Sequence, residues 1–227
     1  LQPLQMRLNR ESRPCFLVET SELLLGYEGL YGADSMLIAV SQSGESAEVV
    51  QLLGRTAAFG LVVAVTNSPG SCLARNATLS LLLHAGTETT VSCKTYVNSL
   101  AVLHWLGTVM TGGDAPATAG ELATLPATAA AYLGAWRRHL ADLSAVLRGV
   151  TSIFITGRGA SLATTGTAGL ILKESTRRHA EGMSCAAFRH GPYEMVGDHV
   201  FLLAFAGESR TASLNRRLVE DVRRAGG

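Results

Sequence analysis

Short apolar runs rich in β-branched residues alternate with longer stretches of helical character, and this alternation restricts the fold to parallel sheet with crossover helices. In the first half the spacing predicts strands near residues 15–19, 36–40, 61–66 and 79–83, with helices over 45–59 and 94–111. Asn67-Ser68-Pro69-Gly70 reads as a turn between a strand and a short helix. Residues 111–126 shift to Gly, Ala, Thr and Pro, the composition of a connection, and residues 127–147 read as packing helices broken at Gly134. A strand at 152–156 then restarts the pattern, followed by Gly157-Arg158-Gly159-Ala160-Ser161 and a long helix to about residue 178. A strand at 200–205 and a helix over 209–224 complete the α/β reading.

With 47% hydrophobic residues the chain can fill a sizeable core. A net charge of +1, and no run of like charges longer than a pair, leave no electrostatic footprint for nucleic acid. Apolar stretches such as 79–83 and 201–206 fall far short of the ~18 residues of a membrane span, so no membrane partner is expected. Cys15, Cys72, Cys93 and Cys185 are dispersed without a Cys-x-x-Cys pair, which reads as free thiols of a reducing cytoplasm and neither a disulfide frame nor a zinc site. Lys94 and Lys173 are the only lysines.

Ser41-Gln42-Ser43-Gly44-Glu45-Ser46 stands between the strand at 36–40 and a helix, the place where open α/β sheets bind ligands. Hydroxyls, an amide, a glycine that admits close backbone approach and free helix-start amides all suit an anion. The same residues suit a plain helix cap by Ser43 or Ser46, with Glu45 or Glu48 complementing the dipole, and local chemistry does not separate the two.

A second set is Lys173-Glu174 on the long helix and Arg189-His190-Gly191-Pro192, sixteen residues beyond Glu174. A carboxylate and an imidazole fit the two proton transfers of aldose/ketose isomerisation, at C1/C2 and at the ring oxygen. Alternatively Glu174 pairs with Arg177 or Arg178 at helical spacing, and His190 is a loop histidine bonded to backbone. Gly157-Arg158-Gly159 does not extend to a dinucleotide fingerprint, because Gly166 is too far downstream and no acidic residue follows at the required distance. His179-Ala180-Glu181 lacks the further ligands of a metal site. No metal and no organic cofactor are expected.

Four stretches, at residues 37–46, 67–73, 85–96 and 157–192, resemble the sugar isomerase (SIS) family, and within it the tandem isomerase modules of the glucosamine-6-phosphate synthase type. The resemblance implies two three-layer αβα, flavodoxin-like halves in tandem, incomplete at both ends: residues 1–111, a linker over 112–139, and residues 140–227. It implies that Ser41, Gln42, Ser43 and Ser46 bind the sugar phosphate, that Ser92 lies near the sugar, and that Glu174 is the C1/C2 base. It also implies that His190 opens the ring, reaching the site of a neighbouring subunit, and hence a homodimer acting on fructose 6-phosphate or glucosamine 6-phosphate.

The family's first strand with its Gly-Thr-Ser loop, its C-terminal lysine and the glutaminase half of the synthases have no counterpart in these 227 residues. Thr167 and Ile171 stand where the synthases carry a further glutamate and lysine. A phosphosugar-amine deglycase or deaminase, or a regulatory domain that only binds sugar phosphate, therefore remain open beside the isomerase. A purely structural subunit would need the 41–46 loop to be closed.

Overall fold

A computed structural model describes all 227 residues. The elements run, in chain order, α1 (Gln2–Arg10), α2 (Thr20–Gly26), β1 (Met36–Val40), α3 (Ala47–Leu53), β2 (Leu61–Thr66), α4 (Cys72–Asn76), β3 (Leu79–Leu82) and α5 (Lys94–Met110). They continue with α6 (Ala115–Gly134), α7 (Trp136–Val146), β4 (Ser152–Gly157), α8 (Leu162–Thr176), β5 (His179–Ser184), α9 (Cys185–Arg189), β6 (Val200–Ala204) and α10 (Ser209–Arg224). The chain divides into two compact units, Pro14–Gly113 and a second that combines Leu1–Arg13 with Asp114–Gly227. No helix is long and apolar enough to cross a membrane.

In the first unit three parallel strands are ordered β1-β2-β3, with Met36 beside Leu61 and Val63 beside Leu79. Central β2 is apolar from Leu61 to Val65 and buried from Val62 to Thr66, as a strand covered on both faces must be. Ala39, Val49, Ala64 and Leu73 form one core cluster, and Leu23, Leu24 and Leu52 a second. The expected strand at 15–19 does not form. That segment is extended and leads into α2, whose Leu23 and Leu24 take the buried positions.

The expected helix over 45–59 is only the seven residues of α3, followed by a 3₁₀ turn at Thr56–Ala58. Gly54 closes α3, and the following turn is held by Arg55, whose Nη1 donates to Leu24 O at 2.8 Å. The shorter helix weakens the contribution of a helix dipole to anion binding in the preceding loop.

The second sheet is also parallel, in the order β5-β4-β6. Its core gathers Phe154, Cys185, Phe188, Val200, Leu218 and Val222. α10 buries Asn215, Leu218 and Val222 at spacings of three and four, and Asn215 Nδ2 donates to both Phe205 O and Ala206 O at 2.9 Å. α1 packs on α8 with Leu4 and Leu8 buried. Residues 115–134, read in part as a connection, are helical from Asp114, whose Oδ1 accepts from Ala117 N at 2.8 Å.

Strand β5 was not expected, because His-Ala-Glu-Gly-Met-Ser has neither an apolar run nor β-branched residues. It forms because α8 covers it. A Cβ on Gly182 would overlap the Thr165 carbonyl, and one on Gly169 would lie 2.7 Å from Gly182 N.

Candidate functional site

The loop at 41–46 leaves the carboxyl end of β1 still tied to β2, with Ser41 N donating to Val65 O at 3.0 Å. Gln42 O then accepts from Asn67 N at 3.1 Å and from Thr66 Oγ1 at 3.2 Å. Gly44 N donates to Ser41 Oγ at 3.1 Å, and Glu45 N to Ser43 Oγ at 3.2 Å. Gly44 is buried with φ of 66°, and a Cβ there would lie 2.7 Å from Ser71 Cβ. Both its φ and its neighbour demand glycine.

Gly44→Ala is therefore expected to cost about 2–3 kcal/mol of stability, from the left-handed backbone and the overlap together. Urea denaturation followed by circular dichroism checks this; a loss under 0.5 kcal/mol on the scale of an ordinary surface change would contradict it.

Glu45 reaches across to α4, where its Oε1 accepts from Cys72 N at 2.6 Å. Hydrogen bonds from the Cys72 side chain and backbone hold the Glu45 carboxyl below the usual carboxylate range, and the Glu45 bond pushes the Cys72 thiol up. Glu45 is thereby committed to bracing the loop. Ser46 occupies the N-cap position of α3 but its side chain caps nothing, and Ser43 accepts from Glu45 N, outside the helix. Neither serine serves as the helix cap that the sequence left open. The hydroxyl of Ser46 and the amide of Gln42 are exposed with their hydrogen-bonding capacity unspent.

Ser92 lies in the loop after β3, at the carboxyl edge of the same sheet as the 41–46 loop, with β2 between the two strands. Two residues outside the candidate set organise this edge. Asn67 binds the β3 loop through Nδ2 to Gly86 O and Oδ1 from Ala85 N, both at 2.8 Å. Glu88 caps α5, with Oε1 accepting from Thr95 N at 2.7 Å and from Ser92 Oγ at 3.2 Å. The Thr95 amide is the main reason the Glu88 carboxyl sits below its ordinary range. Asn67 opens an Asn-Ser-Pro-Gly turn, a signal for a side chain that bonds backbone locally; Glu88 lacks any such signal.

Glu174 and His190 lie in the other unit. Glu174 is exposed on the last turn of α8, and no ion pair engages it. The expected alternative, pairing with Arg177 or Arg178, fails for a local reason: Arg177 is the left-handed C-cap, with φ of 56°, so the helix face ends before either arginine. Arg178 Nη1 instead donates to Val150 O at 3.4 Å.

His190 follows α9, its backbone N donating to Ala187 O at 3.0 Å and its imidazole exposed. Gly191, with φ of 137°, turns the chain into Pro192. The stretch is anchored from below by fully buried Phe188 and by Arg189, whose Nη2 lies 2.6 Å from Asp221 Oδ2. Tyr193 Oη adds a 3.3 Å bond to Asp221 O. No hydrogen bond joins Glu174 to His190. No group of three or more His, Cys, Asp or Glu side chains is assembled as a metal site.

Residues 4–109 match the SIS domain model. Over 219 residues, or 94% of the chain, the sequence is 31% identical to glutamine–fructose-6-phosphate aminotransferase (isomerizing) of Pyrococcus horikoshii, and spans 36% of that protein's length. Among solved structures, the C-terminal domain of glucosamine-fructose-6-phosphate aminotransferase from Francisella tularensis superimposes with a TM-score of 0.85 at 22% identity, over 100% of this chain and 66% of that one. A phosphosugar isomerase fold from Silicibacter pomeroyi, so described in its own name, gives 0.84 at 28% identity, over 99% and 68%. Residues 4–109 thus form an SIS domain by family match, and the chain is similar along most of its length to part of the isomerizing glutamine–fructose-6-phosphate aminotransferases.

Proposed function

We propose that the chain binds a hexose or hexosamine 6-phosphate and moves a proton between C1 and C2 of its open form, as an aldose/ketose isomerase does. The observation that carries this reading is the 41–46 loop. Gly44 lets it fold tightly against Ser71, Glu45 braces it, and the Ser46 hydroxyl and Gln42 amide are left exposed and unspent at the carboxyl edge of a parallel sheet. Ser41 and Ser43 hydroxyls, which accept from loop amides, retain a proton to donate to a phosphate oxygen. Ser92, whose hydroxyl is tied to Glu88, serves in this reading as a sugar-hydroxyl partner.

In this reading residues 1–111 and 140–227 are two related αβα halves joined by 112–139. Glu174 takes the proton from one carbon as the electron pair forms the enediol, and returns it to the other; the carbonyl oxygen is protonated and the neighbouring hydroxyl deprotonated in exchange. His190 transfers the ring-opening proton, from a neighbouring subunit of a homodimer. A domain that only binds sugar phosphate would need neither Glu174 nor His190, and the presence of both favours an enzyme.

Thermal unfolding with fructose 6-phosphate, glucosamine 6-phosphate and the two unphosphorylated sugars tests the anchor. At a hundredfold excess over Kd the phosphorylated ligand is expected to raise Tm by roughly 5–10 °C. Ser46→Ala should reduce that shift. Equal shifts with and without the phosphate would sink the reading.

A further inference from the structure

The second sheet changes direction at β4: the chain leaves β4 through α8 to β5 on one side, and β6 lies on the other. α8 and α10 start from these neighbouring strands and lie on opposite faces, since a Cβ on Gly157 would meet Thr165 of α8 while Phe154 clusters with Leu218 and Val222 of α10. The carboxyl ends of two such strands part to form a crevice, the place where an open α/β sheet takes a ligand. Its walls here are Gly157-Arg158-Gly159-Ala160-Ser161 and Phe205-Ala206-Gly207-Glu208. Gly159 and Gly207 hold φ of 62° and 74°, a Cβ on Gly159 would stand 2.9 Å from Glu208 Oε1, and one on Gly207 would stand 3.8 Å from Arg158 O. Ser161 and Glu208 stand at the N-cap positions of α8 and α10, and neither caps its helix through the side chain.

The groups around this crevice are short of acceptors. Arg158 Nε is shut off from water without a hydrogen-bond partner, and the guanidinium enters no ion pair. Arg10 Nη2 and Arg210 Nε converge on Glu208, at 3.4 Å from Oε1 and 2.7 Å from Oε2, so one carboxylate serves two guanidiniums. At the base, Thr156 is fully buried on the face it shares with Phe154, the one that α10 covers, and its Oγ1 also lacks a partner. Buried donors left without acceptors weaken the fold, and a bound ion is one thing that satisfies them. Three guanidiniums against one carboxylate leave an excess of two positive charges, the complement of a phosphate dianion, and two helix starts without side-chain caps add donors of the same sense. We infer that the crevice between β4 and β6 is a second oxyanion site, which takes the phosphate group of a small molecule with Arg158 as its chief ligand. It lies in the other unit from the 41–46 loop and does not rest on the sugar-phosphate reading.

Titration of the ¹⁵N-labelled chain with inorganic phosphate, at about pH 8 where phosphate is a dianion, tests it by two-dimensional NMR. The amides of Gly159, Ala160, Ser161, Gly207 and Ser209 are expected to shift saturably with a midpoint of roughly 0.1–1 mM, whereas acetate at equal ionic strength should move them little. Arg158→Met keeps the apolar stem and should raise the midpoint about 10-fold or more. Without phosphate the same variant should melt no lower than wild type, because the group it removes has no partner. Glu208→Gln should lower the midpoint a few-fold by releasing Arg10 and Arg210 to the anion. Ser46→Ala should leave the response of these amides unchanged, since the 41–46 loop is a separate site. A lower midpoint with fructose 6-phosphate than with inorganic phosphate would identify the ligand as a phosphosugar, and an equal one as free phosphate. No saturation by about 20 mM phosphate, an equal response to acetate, or an unchanged midpoint in Arg158→Met overturns the inference. So does an Arg158→Met that melts several degrees lower in the absence of phosphate, which would mark the guanidinium as a structural group.

Discussion

Gly182→Ala is expected to destabilise the C-terminal unit by about 3 kcal/mol or more. The added Cβ would overlap the Thr165 carbonyl and stand 2.8 Å from Gly166 N, and both are backbone of α8, which no side-chain rotation can move aside. Relief requires α8 to lift from β5, and with it the packing of Gly169 on the same strand. Because Glu174 rides on the last turn of α8, the variant should lose phosphosugar turnover along with stability. Gly166→Ala is the matched control. A Cβ there meets nothing within 4 Å, so the exchange should stabilise the helix by about 0.5–1 kcal/mol. Urea titrations of the two variants against wild type decide the matter; equal midpoints for Gly182→Ala and wild type would show that α8 is not held where its glycines allow.

The largest expected effect on activity belongs to Glu174→Gln. If the carboxylate carries the C1/C2 proton, the amide cannot accept it, and wash-in of solvent deuterium at those carbons of fructose 6-phosphate should slow by roughly 10²–10⁴-fold. Binding should survive, since the side chain is exposed and engages in no ion pair that its neutralisation would leave unsatisfied. The thermal shift with fructose 6-phosphate therefore serves as the internal control. Glu220→Gln, on a helix surface where the carboxylate pairs with Arg224 at 4.0 Å, should leave exchange unchanged. Unaltered exchange in Glu174→Gln would reassign the base, and exchange absent from wild type as well would favour a binding domain.

Much of the sheet was legible as a list of strands, since Leu-Val-Val-Ala-Val-Thr at β2 and Ser-Ile-Phe-Ile-Thr at β4 can satisfy their burial only as central strands. α10 was legible to the residue, because Asn215, Leu218 and Val222 mark one face of an otherwise charged helix. β5 was not, because what makes His-Ala-Glu-Gly-Met-Ser a strand is the helix above it; local preference offers nothing and Gly182 reads as a breaker until Gly169 is placed opposite. The extended segment before α2 failed in the opposite direction. Its Phe16 and Leu17 promise a strand, yet they lie exposed while Leu23 and Leu24 fill the core.

At the candidate site, local chemistry along the chain established where an anion could be met: a strand running into Ser-Gln-Ser-Gly-Glu-Ser, with hydroxyls, an amide and a glycine in reach of one another. It could not tell a phosphate cradle from a helix cap, because both use the same serines at the same spacing. Three-dimensional packing removed the cap from the choice. Glu45 turns to Cys72, Gly44 closes on Ser71, and Ser46 is left at the head of α3 without capping it. The choice depends on residues nearly thirty positions downstream, brought alongside by the β1–β2 pairing, and contacts of that separation are written in no local pattern.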